Sequence, residues 1–171
     1  MHQDRGGKFR PGVRRKNCRR RRLVFWPKRD LLPDMSKANE AKEKTARRIL
    51  LLAAVLGGAG VALGAFGAHG LQKLELPPKG LEWWGTAVDY LFVHALALFG
   101  LAAWMLAGGR GSRGAVLGWL AGVVLFSGSL FAMTLGAPRG LGAVAPIGGT
   151  AFIVGWIFLA VAACRSGEKD A

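Results

Sequence analysis

The sequence predicts an all-α, integral membrane protein folded as a four-helix transmembrane bundle, and three observations carry that prediction. First, residues 49–68, 87–107, 115–136 and 143–164 hold one formally charged residue between them, Asp89. Second, each stretch is about twenty residues long, which at a rise of about 1.5 Å per residue matches the roughly 30 Å hydrocarbon core of a bilayer. Third, none of the four has the continuous polar face that a helix of a water-soluble bundle needs.

Charge is concentrated before the first span. Residues 1–48 carry 17 of the 24 Lys and Arg residues but only 5 of the 10 Asp and Glu residues. Residues 1–34, with the run Arg19-Arg20-Arg21-Arg22 and no apolar period, are expected to be a disordered basic extension. Met35-Ser36-Lys37-Ala38-Asn39-Glu40 reads as a natural beginning, so Met35 is the expected start of translation. Residues 35–48 form a basic lead-in. Beside a membrane, such a segment is expected to attract anionic lipid headgroups rather than nucleic acid, each Lys or Arg contributing about 1 kcal/mol.

Span one, 49–68, follows Lys42, Lys44, Arg47 and Arg48 as a secretory signal core would. It exceeds the 7–15 apolar residues usual for such a core and is expected to stay as a true span. Gly60 and Gly64 within it make a small-xxx-small pair, a pattern that lets helix backbones approach closely in lipid. The outer loop that follows contains Pro77-Pro78 and Leu81-Glu82-Trp83-Trp84, which suggests a turn and then a short interfacial helix. Span two, 87–107, ends in Gly108-Gly109, and the next residues lack the Gly-Lys-Ser/Thr ending of a phosphate-binding loop. Span three, 115–136, repeats the small-residue pair with Gly118 and Gly122. Span four, 143–164, opens with Pro146 and Ile147-Gly148-Gly149, where a bend or a neighbour's close approach is expected. Residues 165–171 form a tail.

Nine basic residues fall on the N-terminal side of the membrane and three on the other, counting from Lys37 onward. The positive-inside rule then places both termini in the cytoplasm, in a cytoplasmic (inner) membrane. Trp83, Trp84 and Tyr90 are expected at the outer interface and Trp104 and Trp119 near the inner one.

Polar residues inside a bilayer carry a cost and need individual explanations. His94, Ser129 and Thr150 each lie seven residues from the outer end of their spans, so they are expected to share one layer of the bundle. His94 is expected to face the interior and hydrogen-bond to span three or four. His69, Asp89 and Tyr90 form a second polar group at the outer boundary. A proton relay or cation site through His69, Asp89 and His94 competes with the simpler reading that His69 and Asp89 bond to loop backbone and water while His94 holds helices together. Cys18 and Cys164 are too far apart in sequence for a redox or metal motif, and no metal or cofactor is expected.

Four ordered blocks resemble a known family. They are Ala62-Leu63-Gly64-Ala65-Phe66-Gly67-Ala68-His69-Gly70-Leu71, Thr86-Ala87-Val88-Asp89-Tyr90 with His94-Ala95-Leu96-Ala97-Leu98, Leu125-Phe126-Ser127-Gly128-Ser129-Leu130, and Pro146-Ile147-Gly148-Gly149 with Gly155-Trp156. Together they look like the domain of unknown function 423, the YgdD-like inner-membrane proteins with transmembrane protein 256 as an animal relative. The resemblance covers Met35 to about Cys164. It implies a small four-span membrane protein and supports Met35 as the start, but it implies no activity. Asp89 departs from the polar, often uncharged residue expected there.

The functional expectation is a non-enzymatic structural or accessory protein of the membrane, acting through an unknown membrane-protein partner or as a homo-oligomer. The alternative is a small transporter or channel-like protein built around His94.

Overall fold

The computed structural model describes residues 35–167, which are helical with no strand among them. The expected disorder of residues 1–34, and Cys18 within them, lie outside the described residues. Four segments are long and apolar enough to cross a membrane: Ser36–Lys73, Gly80–Leu106, Arg113–Thr134 and Arg139–Ser166.

Helix α1, Met35–His69, runs unbroken through the basic lead-in and the first span. Its 35 residues reach roughly 50 Å, so it is longer than a hydrocarbon core is thick. A 3₁₀ turn, Leu71–Lys73, follows α1 and buries Leu71. Helix α2, Gly80–Leu106, starts where the Gly80 N–H donates to the Pro77 carbonyl at 2.8 Å. The separate interfacial helix expected before span two is therefore absent. Leu81-Glu82-Trp83-Trp84 are the first turns of α2 itself, because Gly80 continues directly into helix once the Pro77-Pro78 turn has closed.

Span three is a composite. Helix α3, Arg113–Gly122, passes into a π-helical turn, Val123–Ser127, and then into α4, Gly128–Thr134. The Gly128 N–H reaches back to the Val123 carbonyl, the wider closure that defines such a turn. A second 3₁₀ turn, Arg139–Ala143, leads into α5, Ala145–Gly167.

Helices α2 and α4 both stop on a glycine in the left-handed region, Gly108 at φ 104° and Gly136 at φ 96°. The following N–H groups, of Gly109 and Ala137, bond to the carbonyls of Trp104 and Ala132 at 2.9 and 3.0 Å. Those bonds satisfy carbonyls that a helix end otherwise leaves orphaned. On the same side as the α2 terminus, Lys42 Nζ donates to the Gly108 carbonyl at 2.7 Å and an Arg110 guanidinium N–H to the Arg165 carbonyl at 3.4 Å. Cations thus sit at the negative ends of both α2 and α5.

Neighbours in sequence are neighbours in space: α1 packs along α2, and α3 packs along α5. The π-helical turn and α4 join the two pairs by contacting α2 and α5. Spans two and three form the more buried centre, while spans one and four leave wide apolar faces open, with Val55, Val61, Ile153 and Ile157 all exposed. Such faces suit lipid as the solvent.

Glycines are sockets for aromatic rings more often than seams between backbones. Gly60 faces the Phe92 ring, and a Cβ there would lie 3.0 Å from it. A Cβ on Gly67 would lie 2.6 Å from Trp84, and one on Gly155 the same distance from Trp119. On Gly122 it would overlap the Phe152 ring. Gly64 meets only Val88, at an ordinary 3.7 Å. Gly118 alone of the four seam glycines faces backbone. All four pack against a neighbouring helix of the same chain.

Two of the tryptophans expected at the interfaces are turned into the bundle. Trp84 is buried and its Nε1–H donates to the Leu63 carbonyl of α1 at 2.8 Å, while its ring lies 4.6 Å from that of Phe131. Trp119 is fully buried. Gly67 and Gly155 open the space that lets these rings turn inward instead of toward the headgroups.

Candidate functional site

His94 is buried at the meeting point of α2, the π-helical turn and α5. Its ring stacks face to face on Phe152, with centroids 3.6 Å apart and planes 11° from parallel. Phe152 reaches that place because Gly122 has no side chain to block it. Around the stacked pair stand Tyr90, Trp119 and Trp156, each with its ring centroid 6.2–6.3 Å from that of His94. Tyr90 also leans on Phe126 at 4.6 Å.

The hydrogen bond of His94 differs from the expected one. Its Nδ1 lies 2.8 Å from the Tyr90 carbonyl, one turn earlier on the same helix, and not against span three or four. A carbonyl only accepts, so Nδ1 carries the proton and donates. In a neutral imidazole that leaves Nε2 as an acceptor, and Nε2 is buried with no partner. The Trp119 Nε1–H beside the imidazole is likewise buried without a partner, so the two groups face the same core but share no hydrogen bond.

Ser129 and Thr150 do not join His94 in a network. Ser129 Oγ donates to the Phe126 carbonyl and Thr150 Oγ1 to the Pro146 carbonyl, both at 2.9 Å and both within their own spans. Thr150 is exposed. Hydroxyls in helices commonly bond to the carbonyl three or four residues back, which satisfies them without a neighbour.

An open groove of about 680 Å³ reaches the His94 ring from between α2 and α5. Tyr90, Phe126, Phe152 and Trp156 line it, with Asp89 and Thr150 among its few polar residues. Asp89 and Tyr90 are therefore brought to one groove, whereas His69 is exposed at the end of α1 and does not line it. Among the described residues, no three His, Cys, Asp or Glu side chains come together as a metal site.

Sequence reasoning missed three features here. Ser127 is buried with its hydroxyl unpartnered, inside the π-helical turn. Thr134 is buried, and its hydroxyl shares one proton between the Gly80 carbonyl at 3.0 Å and the Leu130 carbonyl at 2.9 Å, so it links the start of α2 to the end of α4. The π-helical turn itself packs against Gly148, where a Cβ would overlap the Phe126 backbone nitrogen. The Gly148-Gly149 pair was the only sequence signal of that approach.

Residues 63–149, which hold His69, Asp89, His94, Ser129 and both seam pairs beyond Gly60, match the family described as Protein of unknown function (DUF423). The chain belongs to this family. Similar DUF423-type proteins include the UPF0382 membrane protein YwdK of Bacillus subtilis strain 168, 46% identical over 120 residues that span 68% of this chain and 95% of the relative. A UPF0382 membrane protein of Haemophilus influenzae is 40% identical over 119 residues, covering 70% of this chain and 95% of its own. The UPF0382 inner membrane protein YgdD of Escherichia coli K12 is 37% identical over 133 residues, covering 73% and 95%. No solved structure matches the chain at a significant level. The DUF423 assignment agrees with the four apolar helices: this is a small multi-span membrane protein of a family with no named biochemical activity.

Proposed function

We propose that this protein is a non-enzymatic structural or accessory component of the cytoplasmic membrane, working through the lipid-facing sides of its bundle. The observation that carries the reading is where the intramembrane polar groups spend their hydrogen bonds. His94, Ser129 and Thr150 all turn to backbone carbonyls of their own spans. A transport path needs polar groups that face one another across the bundle, and these face their own helices. The open apolar faces of spans one and four leave room for a second copy of the chain or another membrane protein. The basic residues before span one favour a cytoplasmic N-terminus, both termini inside, and attraction to anionic headgroups.

The groove that reaches His94 supports a second reading, a small transporter or channel-like protein. One experiment separates the two. Photoreactive residues placed at Val55 and Ile157 in native membranes should trap discrete protein adducts, and His94→Leu should change neither adduct yield nor growth at matched protein level. If His94→Leu instead abolishes a proton or ion flux of the reconstituted protein while its folded amount is unchanged, the transport reading replaces this one.

A further inference from the structure

A second groove, of about 430 Å³, lies at the opposite end of the bundle from the Asp89 boundary, where the basic lead-in of α1 passes the start of α3. Lys42 and Arg113 line its polar end. One to two turns deeper on the same helices come Ile49 of α1 and Val116 and Leu117 of α3, with Met105 of α2 alongside. From Lys42 to Ile49 the helix advances roughly 10 Å, the step from headgroup level into hydrocarbon. The slot is thus graded along the membrane normal, cationic at the mouth and apolar within.

Charge on α1 is sorted by face. Glu40 and Glu43 line a different hollow together with Lys44 and Arg47, and Arg47 is paired to Glu43 at 2.7 Å. Among the described residues, no carboxylate lines the slot. Lys42 is held in place by one N–H to the Gly108 carbonyl at 2.7 Å, which leaves two donors free. A strand of phosphate-headed acyl chain is complementary to this arrangement at both ends: the phosphate between two cations, the chain along Leu117 and Val116. We propose that this slot is a binding site for one anionic phospholipid. The proposal rests on and deepens the headgroup attraction named above by giving it one site, while the accessory role itself is tested by partner capture without reference to lipid.

Native mass spectrometry of the full chain in mild detergent, titrated with phosphatidylglycerol, phosphatidylcholine or inorganic phosphate, tests the site. The expected result is a saturable one-to-one phosphatidylglycerol adduct, with phosphatidylcholine and free phosphate both much weaker. Lys42→Gln combined with Arg113→Gln should weaken that adduct about thirtyfold. Lys44→Gln combined with Arg47→Gln should leave it unchanged. Val116→Trp, which fills the slot and keeps both cations, should also remove the one-to-one adduct and so distinguish it from lipid bound to the basic tail. Equal weakening by the two double variants, an adduct that survives Val116→Trp, or equal retention of the zwitterionic lipid would each overturn the proposal.

Discussion

Gly118 of α3 lies so close to Gly155 of α5 that a Cβ on Gly118 would sit 2.8 Å from the Gly155 Cα and 2.9 Å from the Ala151 carbonyl oxygen. Both obstacles are backbone, which cannot swing aside as a side chain can. In lipid, where helices gain little from excluding water, that close approach is rewarded by dispersion contact. Gly118→Ala should therefore lower unfolding stability by about 1–3 kcal/mol, the usual cost of overpacking. Gly64→Ala meets only the Val88 methyl at 3.7 Å and should be tolerated. Thermal unfolding of the two variants in the same detergent makes the comparison, and equal stability would contradict the packing described here.

The His94 ring is a second place where the direction of an effect follows from geometry. His94→Phe keeps the stack on Phe152, worth about 0.5–1.5 kcal/mol, and removes a buried unpartnered nitrogen whose burial costs about 1–3 kcal/mol. The bond given up runs to a carbonyl on its own helix. Stability should stay level or rise. A loss above about 2 kcal/mol in equilibrium unfolding would mean that Nε2 has a partner worth keeping.

Thr134 joins the start of α2 to the end of α4 through its side chain. Its hydroxyl lies within reach of the Gly80 and Leu130 carbonyls and is buried. Thr134→Val preserves shape and should cost about 1 kcal/mol, with Thr134→Ser recovering the bond at the expense of a methyl group. Hydrogen exchange of the first turn of α2 gives the local readout: it should speed up in the valine variant and not in the serine one.

Trp84 ties α2 to α1 through the Leu63 carbonyl. Trp84→Phe removes that bond and part of the ring, so loss of stability should exceed that of Thr134→Val. Gly67→Ala should act on the same contact from the other side, since its Cβ would meet the indole at 2.6 Å. Combining the two changes tests the link, because Phe is smaller and should relieve part of the clash. Strictly additive losses would show that Gly67 and Trp84 do not share a contact.

Much of this fold was legible in the sequence because a bilayer leaves few options. Uncharged runs of about twenty residues must satisfy their backbone internally, and helices do so. Gly108 and Gly136 marked the ends of α2 and α4, since each takes up a left-handed conformation that favours glycine. The partners of the glycines were not legible. Spacing shows that Gly60 and Gly64 share a face, but only the register between helices decides that Phe92 fills one and Val88 the other. The same limit hid the inward turn of Trp84 and Trp119. An aromatic near a span end suits the headgroup layer unless a neighbouring helix offers a socket, and Gly67 and Gly155 are such sockets. The His94 bond was not legible for a related reason: equal depth along three spans does not imply contact when each polar group has a nearer acceptor on its own helix.

Accessibility of single cysteines in intact cells tests the four-span arrangement most directly. With Cys18 and Cys164 changed to Ser, Lys79→Cys and Arg139→Cys lie in one pair of loops, and Ala107→Cys lies at the turn on the opposite side. The account predicts that a membrane-impermeant thiol reagent labels positions 79 and 139 from outside, and position 107 only after the membrane is permeabilised. Labelling of all three from the same side, or release of the protein from membranes by alkaline carbonate, would contradict it.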